Sequence, residues 1–454
     1  MIPETELRQH AEEHELSEAN VQRDYVFGWL ISGLYRTSSL ADALVLKGGN
    51  GLRKGYFPNT RFSDDLDFTT EHGLEGHLLL EEFNGVCRFA RDAAGVSFDI
   101  GRNRIVDEHE IDGTKKVFKM KLYFKDFLTG ADHITLSVRM DVTEYDRLYL
   151  PVQERQLIHP YSDVADCSTA IRCIKLEEAL AEKMKCLLQR RYCYDLFDLV
   201  YGAFVTRDVE VDRSEMLNVF FKKTIFGGSP LAAKNLLLDL PLDLFRGYWH
   251  TVLTPRASRM TFDNAVNVLK VSIEELFGEI PQRPQMAAAY FPADLRNPIL
   301  QAGSERRLLR LTYDGIPRLV EPYSLAFKRR KDGVAQEYLY VWDRTGGRSG
   351  PGTKALLNGK VQSIEVTEET YEPRFPVRIT KAGDSTAAGT FAAQSRPRIR
   401  RSRGRAYDGP RYIVECNYCG KEFRRKKRST RMNKHKDAYG NECYGRSGFI
   451  VDYR

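Results

Sequence analysis

Asp64, Asp65 and Asp67 crowd the segment RFSDDLDF, shortly after the glycine pair Gly48 and Gly49 in LKGGNGLRKGY. Carboxylates this close repel unless a cation neutralises them. Mg2+ and Mn2+ prefer oxygen ligands, and glycines let backbone N–H groups approach phosphate without a Cβ in the way. Together the two stretches suggest a cation site beside a phosphate site. The plainer alternative is a solvated turn, because short motifs recur by chance. If RFSDDLDFT is extended, Arg61, Ser63, Asp65, Asp67 and Thr69 share one face and Phe62, Leu66 and Phe68 the other. Asp65 and Asp67 then point together, and Asp64 points with the apolar set. In ITLSVRMDV, Ile134, Leu136, Val138, Met140 and Val142 share one face, while Arg139 and Asp141 share the other. Asp141 is therefore a third candidate ligand.

Two further groups could do chemistry. KLEEALAEKMKCLLQRR has helical spacing, with Leu176, Leu180, Met184 and Leu187 as its buried stripe and Lys183 and Arg190 two turns apart on a neighbouring face. Asp195 and Asp198 in YDLFDL lie on the next helix, where they could orient those cations; ordinary surface charges are the alternative. Near the C-terminus, Cys416 and Cys419 form C-x-x-C, and His435 and Cys443 can complete four zinc ligands, with Phe423 packed beneath the metal. Free thiols are the alternative. Arg424, Arg425, Lys426, Lys427 and Arg428 follow a run of arginines from Arg396 to Arg405. A phosphate backbone explains such a run better than a solvated face does.

These residues need elements to hold them. The first region, 1–282, alternates strand and helix patterns: VQRDYVFGWLISGLY is helical by Val26, Leu30 and Leu34, and several half-buried strands precede the Lys183 helix. That makes an α+β (α/β) unit ending at PQRPQ. Residues 304–380 read as a small β domain, 381–410 as a flexible Arg-rich linker, and 411–454 as a zinc-finger module. The chain has 454 residues, 42% hydrophobic and 29% charged, as an ordinary soluble protein does. No apolar run is long enough to span a bilayer, and the acidic, polar start is unlike a secretory signal. Scattered cysteines suit a reducing cytoplasm. The net charge of +7 concentrates after Arg396, which points to a polyanionic partner.

The order of these motifs resembles the AbiEii/AbiGii toxin family. LKGGNGLRKGY and RFSDDLDF are followed by Asp141, AEKMKCLLQRR and YDLFDL, and the likeness runs from about Val21 to Tyr201. Asn50 stands where the family often has threonine. Those proteins are nucleotidyltransferases of the polymerase-β-like superfamily, known from abortive-infection and toxin–antitoxin systems. The resemblance implies a polymerase-β-like core, Mg2+ (or Mn2+) and an NTP. Asp65 and Asp67 would bridge two metals, and Asp141 would hold the one that activates the attacking hydroxyl. Gly48, Gly49, Ser63, Lys183 and Arg190 would face the nucleotide, with Lys183 and Asp195 also among the catalytic set. Residues 304–380 are similar to WYL domains, SH3-like β modules, with Arg318, Tyr323 and Arg374 as ligand candidates; a structural module with an aromatic core is the alternative. The expected function is transfer of a nucleotide to RNA, with tRNA as the expected example, by a cytoplasmic toxin or anti-phage effector. Expected partners are nucleic acid and a cognate antitoxin, with no membrane. The alternatives are a nucleic-acid-binding defence regulator, whose transferase fold is a scaffold or ligand sensor, and transfer onto protein side chains. The intact acidic set favours the enzyme, since a scaffold has no need of repelling carboxylates.

Overall fold

The computed structural model describes residues 2–111, 115–127, 135–190, 192–278, 280, 288–329, 334–346, 350–391, 412–419, 421–436 and 442–453. The arginines expected between Arg396 and Arg405, the boundary at 282 and Ile134 lie outside them. The chain forms two compact units, Met1–Ala392 and Ala393–Arg454.

In the first unit, α1 (Glu4–His14) precedes α2 (Glu18–Thr37), which starts at Ser17, whose side chain accepts the Asn20 N–H. This satisfies one of the donors left open at a helix start. Val26, Leu30 and Leu34 are buried as their spacing predicts. ALVLKGG becomes β1 (Val45–Lys47) running straight into α3 (Gly48–Gly55), so the glycines open a helix and not just a turn. There follow β2 (Asp65–Thr70), α4 (Gly76–Ala94), β3 (Arg104–Ile111), β4 (Lys115–Lys125), β5 (Thr135–Glu144), β6 (Gln153–Gln156), α5 (Val164–Cys167) and β7 (Ala170–Cys173). Then come α6 (Leu176–Gln189), α7 (Cys193–Val200), α8 (Arg213–Lys223), α9 (Pro230–Leu238), α10 (Asp243–Arg246) and α11 (Phe262–Gly278).

The strands make a seven-stranded sheet of order β3-β4-β5-β2-β1-β7-β6. Its centre pairs β2 with β5 in parallel, Asp67 opposite Asp141, and β2 with β1 antiparallel, Asp67 opposite Lys47. Leu66, Phe68, Val138, Met140 and Val142 are buried in the core, which leaves the acids on the other face. The expected alternation therefore holds from Asp65 onward. Asp64 departs from it. It precedes the strand, so its side chain is 60% exposed near Arg139 and does not point with the apolar set.

On α6, Leu176, Leu180, Met184 and Leu187 are buried as expected. The helix ends at Gln189, and Arg190 caps it in an extended conformation, φ −136° and ψ 161°. Arg190 thus leaves the helical face it was expected to share with Lys183.

Next come α12 (Ala293–Glu305), β8 (Arg307–Tyr313), β9 (Ile316–Arg329), β10 (Ala335–Asp343), β11 (Gly352–Leu357) and β12 (Val361–Thr370). The strands form an antiparallel sheet of order β11-β10-β9-β8-β12 with its own apolar cluster. Ile299 and Leu300 of α12 belong to that cluster, so this module takes in chain before residue 304. Downstream, Ser385 N–H donates to Lys223 O, Thr390 to Ser324 Oγ, and Phe391 packs on Phe375 at 4.8 Å. The expected linker at 381–410 therefore begins in packed chain.

The second unit holds β13 (Tyr412–Cys416), β14 (Glu422–Arg425), β15 (His435–Lys436), β16 (Glu442–Cys443) and β17 (Gly448–Tyr453), as a sheet of order β14-β13-β17 and a β15–β16 pair. No helix among the described residues is long and apolar enough to cross a membrane.

Candidate active site and metal centre

The glycine pair meets the acidic strand directly. Gly48 has φ +68°, and a Cβ there would fall 2.0 Å from Asp67 Oδ2. A Cβ on Gly49 would lie 2.6 Å from Ser63 Oγ and 2.7 Å from an Arg61 guanidinium nitrogen. Only residues without side chains let the start of α3, with its open N–H groups, sit this close to the carboxylates. Asn50 Nδ2 donates to Asp65 O at 2.6 Å, so this residue fastens α3 to the head of β2. Ser63 was expected to donate to the nucleotide; its hydroxyl donates instead to Asp65 Oδ1 at 3.2 Å.

Electrostatics mark the acids as strained neighbours. Burial, then the charge of Asp65, pushes Asp67 up to about 7, against the pull of Lys47. Burial also raises Asp141, with Asp65 adding to it and Lys119 opposing. Lys47 offsets part of this while bound to Asp146 at 2.9 Å.

Opposite the acids stands a chain of alternating charges. Lys183 Nζ lies 3.1 Å from Asp195 Oδ1 and 2.8 Å from Asp198 Oδ2. Arg190 grips Asp195 with two bonds, at 2.7 and 3.0 Å. Arg61 grips Asp198 with two more, both 2.8 Å. The order Arg190–Asp195–Lys183–Asp198–Arg61 links α6, α7 and the loop before β2. Burial would discharge Lys183, but Asp198 and Asp195 outweigh it and hold its pKa well above the ordinary value. Arg190 keeps a side chain 43% exposed, the most open of the five. Lys47, Gly48, Asp67, Lys183, Lys185 and Arg190 line a cavity of about 250 Å³. A larger one, about 450 Å³ beside His14, Phe197 and Trp249, has no aspartate in its wall.

A family model described as the nucleotidyl transferase AbiEii toxin of type IV toxin–antitoxin systems matches residues 32–279. The chain belongs to the AbiEii family. It is accordingly a nucleotidyltransferase. Among solved structures, the nucleotidyltransferase toxin MenT4 from Mycobacterium tuberculosis H37Rv is similar at 20% identity and a TM-score of 0.42, covering 63% of this chain and 93% of that one. No curated protein matches. The AbiEii match takes in the end of α2, the whole seven-stranded sheet and the helices from α3 through α11; it begins inside the Val21–Tyr201 stretch on which the sequence resemblance rests and runs past its end.

Reading the AbiEii motifs alone missed several residues that build this site. Arg61 was placed only by its face, although it stands two positions before Ser63 in the same motif. Lys47 directly precedes the glycines, which is a usable signal. Arg53 and Lys54, in the glycine segment, face the other way: both bind buried Asp24, at 2.7 and 3.0 Å, and pin α3 to α2.

Outside the AbiEii match, Cys416, Cys419, His435 and Cys443 bring their donor atoms within 4.8 Å of one another. Cys416 and Cys443 sulfurs are 3.8 Å apart, and Cys419 Sγ lies 3.4 Å from His435 Nε2. Three thiols and an imidazole suit tetrahedral Zn2+. Phe423 packs edge-on against the His435 ring at 4.8 Å. Arg424, Lys426, Lys427 and Arg428 are exposed, whereas Arg425 is half-buried with a guanidinium nitrogen 3.6 Å from Met432 Sδ. In the five-stranded module, Tyr323 is fully buried with its hydroxyl on Glu321, so it is core and not a ligand contact. Arg318 is held by Asp343 at 2.6 Å; Arg374 lies over Trp342, half exposed.

Proposed function

We propose that this AbiEii-family chain moves a nucleotidyl group from an NTP to an RNA acceptor, tRNA being the expected example, with Mg2+ or Mn2+ held by Asp65, Asp67 and Asp141. The observation that carries this reading is the parallel register of β2 and β5, which sets Asp67 against Asp141 with Asp65 on the same strand. When bound, a pair of divalent cations supplies charge stabilisation to the attacking and leaving oxygens. Asp65 and Asp67 fix that charge from one strand and Asp141 from its neighbour. The acceptor hydroxyl gives its proton to Asp141, whose affinity for it burial raises, and attacks the α-phosphate; the bond from that phosphorus to the bridging oxygen breaks, and pyrophosphate leaves. Arg190 presents its open guanidinium to the triphosphate. Lys183, clamped by Asp195 and Asp198, keeps a fixed positive charge in the cavity wall. Ser63 acts through Asp65, which it orients.

The Cys416–Cys419–His435–Cys443 centre holds structural Zn2+ in this reading, and Arg424, Lys426, Lys427 and Arg428 engage the phosphates of the acceptor. The family description supports a toxin with a cognate antitoxin, and in this reading it works in the cytoplasm. The test combines protein, labelled NTPs, Mg2+ and total cell RNA, and then separates labelled RNA from labelled protein on a gel. Label in RNA is expected. Label confined to protein would replace RNA with a protein acceptor, and label in neither would overturn the reading.

A further inference from the structure

We propose that the C-terminal unit binds single-stranded nucleic acid by stacking bases on Tyr418 and Tyr444, beside its Cys3His centre. This rests on the reading that the unit engages a nucleic-acid acceptor, and it adds which form of nucleic acid and which atoms read it.

The unit keeps some aromatic residues against its core and exposes others, Phe449 on β17 among them at 51%. Phe423 packs with the small core of Val414, Cys416, Met432 and Cys443, and Tyr412 and Ile450 lie against that core. Tyr418 and Tyr444 turn outward, 70% and 74% exposed. Among the described residues no other ring lies against either. One exposed aromatic is ordinary on a protein surface. Here two stand on adjoining loops, and both loops are anchored by the cysteines. Tyr418 sits between Cys416 and Cys419, and Tyr444 directly follows Cys443. The loops touch at Gly445, where a Cβ would lie 2.9 Å from Tyr418 Cβ and 2.5 Å from Cys416 Sγ. The backbone beneath both rings is therefore fixed by the ligand cluster.

Charge selects the occupant. Lys421, Arg424, Lys427 and Arg428 are exposed in the same small unit, which suits a polyanion. A duplex would satisfy these cations but hides its base faces within the stack and shows only edges in its grooves. A single strand offers both phosphates and free base faces. Stacking on aromatic side chains is how such strands are held without sequence preference.

The experiment uses full-length, zinc-loaded protein without NTP. Fluorescence anisotropy measures binding to a labelled, unstructured RNA of about 12 nucleotides, within the range one small module occupies, and to a duplex of equal length. Single-strand binding should be the tighter. Tyr418→Ala and Tyr444→Ala should each weaken it about ten-fold and leave its salt slope unchanged, because the phosphate contacts remain. Tyr418→Phe and Tyr444→Phe should bind as wild type does, since the ring is kept, and zinc content of every variant checks that the unit is folded. Alanine variants that retain zinc and bind like wild type would overturn the stacking site while leaving a nucleic-acid role intact, as would tighter binding to the duplex. No binding to either oligonucleotide, or tyrosine-dependent binding to anionic vesicles instead, would overturn both this proposal and the acceptor-capture reading of the unit.

Discussion

Asp67 carries the clearest consequence at the scale of single residues. Burial and Asp65 hold its folded-state pKa at about 7, against roughly 3.9 for an unperturbed aspartate. The folded protein then binds more protons than the unfolded one between those values, so its stability falls as pH rises through that window. In protein stripped of divalent cations, Asp67→Asn should remove this fall. Melting curves in chelator should show the variant above wild type at pH 8 and close to it near pH 4; curves that stay parallel would refute the assignment. Lys183 and Arg190 separate in the same way. Lys183 is buried between two carboxylates, so Lys183→Ala should cost about 3–5 kcal/mol in urea unfolding. It should also lower turnover more than NTP affinity if its charge acts in the transition state. Arg190 is far more open, so Arg190→Ala should fold normally and chiefly raise the NTP concentration needed. Equal destabilisation by the two would contradict the burial that distinguishes them.

At the scale of elements, the site depends on α3 lying against β2. Gly48→Ala forces a left-handed backbone on a residue with a side chain, costing about 1–2 kcal/mol, and drives its Cβ into the Asp67 carboxylate. Transfer should collapse while the circular dichroism spectrum stays that of wild type; an active Gly48→Ala would mean that Asp67 tolerates displacement. The strands were legible in sequence because β2 and β5 each bury one face, which leaves a period of two in the apolar residues. That period does not show where the first ladder bond forms, so Asp64 was drawn into a strand that begins at Asp65. That the glycines open a helix beside Asp67 was not legible, because their reason is tertiary: Asp67 arrives from the next strand. Helical spacing singled out Lys183, Asp195 and Asp198, but nothing local extends the set to Arg61, which bonds Asp198 from 137 positions earlier in the chain. The parallel register of β2 with β5 is equally long-range, and it completes the acidic set.

At the scale of the whole molecule, the matched family region ends at residue 279 and leaves the five-stranded module and the C-terminal unit as additions to it. A cut after Asp384 would sever chain that still packs, since Ser385, Thr390 and Phe391 all have partners and Asp384 holds Lys185 of the cavity wall at 3.1 Å. Removing the residues after 391 is the cleaner truncation. It should leave the melting temperature of the first unit unchanged, raise the RNA concentration needed for transfer, and flatten the salt dependence of that requirement, since fewer counterions are released. With the proposed zinc at Cys416, Cys419, His435 and Cys443, chelation should mimic it, because so small a core would need the metal to fold. The account stands or falls on the acids themselves. The most direct measurement is the initial rate of label transfer from NTP to RNA by wild type, Asp65→Ala and Asp64→Ala, each shown to be folded. Asp65→Ala should lose about a thousand-fold, the loss of several kcal/mol of charge stabilisation, while Asp64→Ala stays within a few-fold of wild type. Equal losses at the two positions, or full activity in Asp65→Ala, would contradict the central claim.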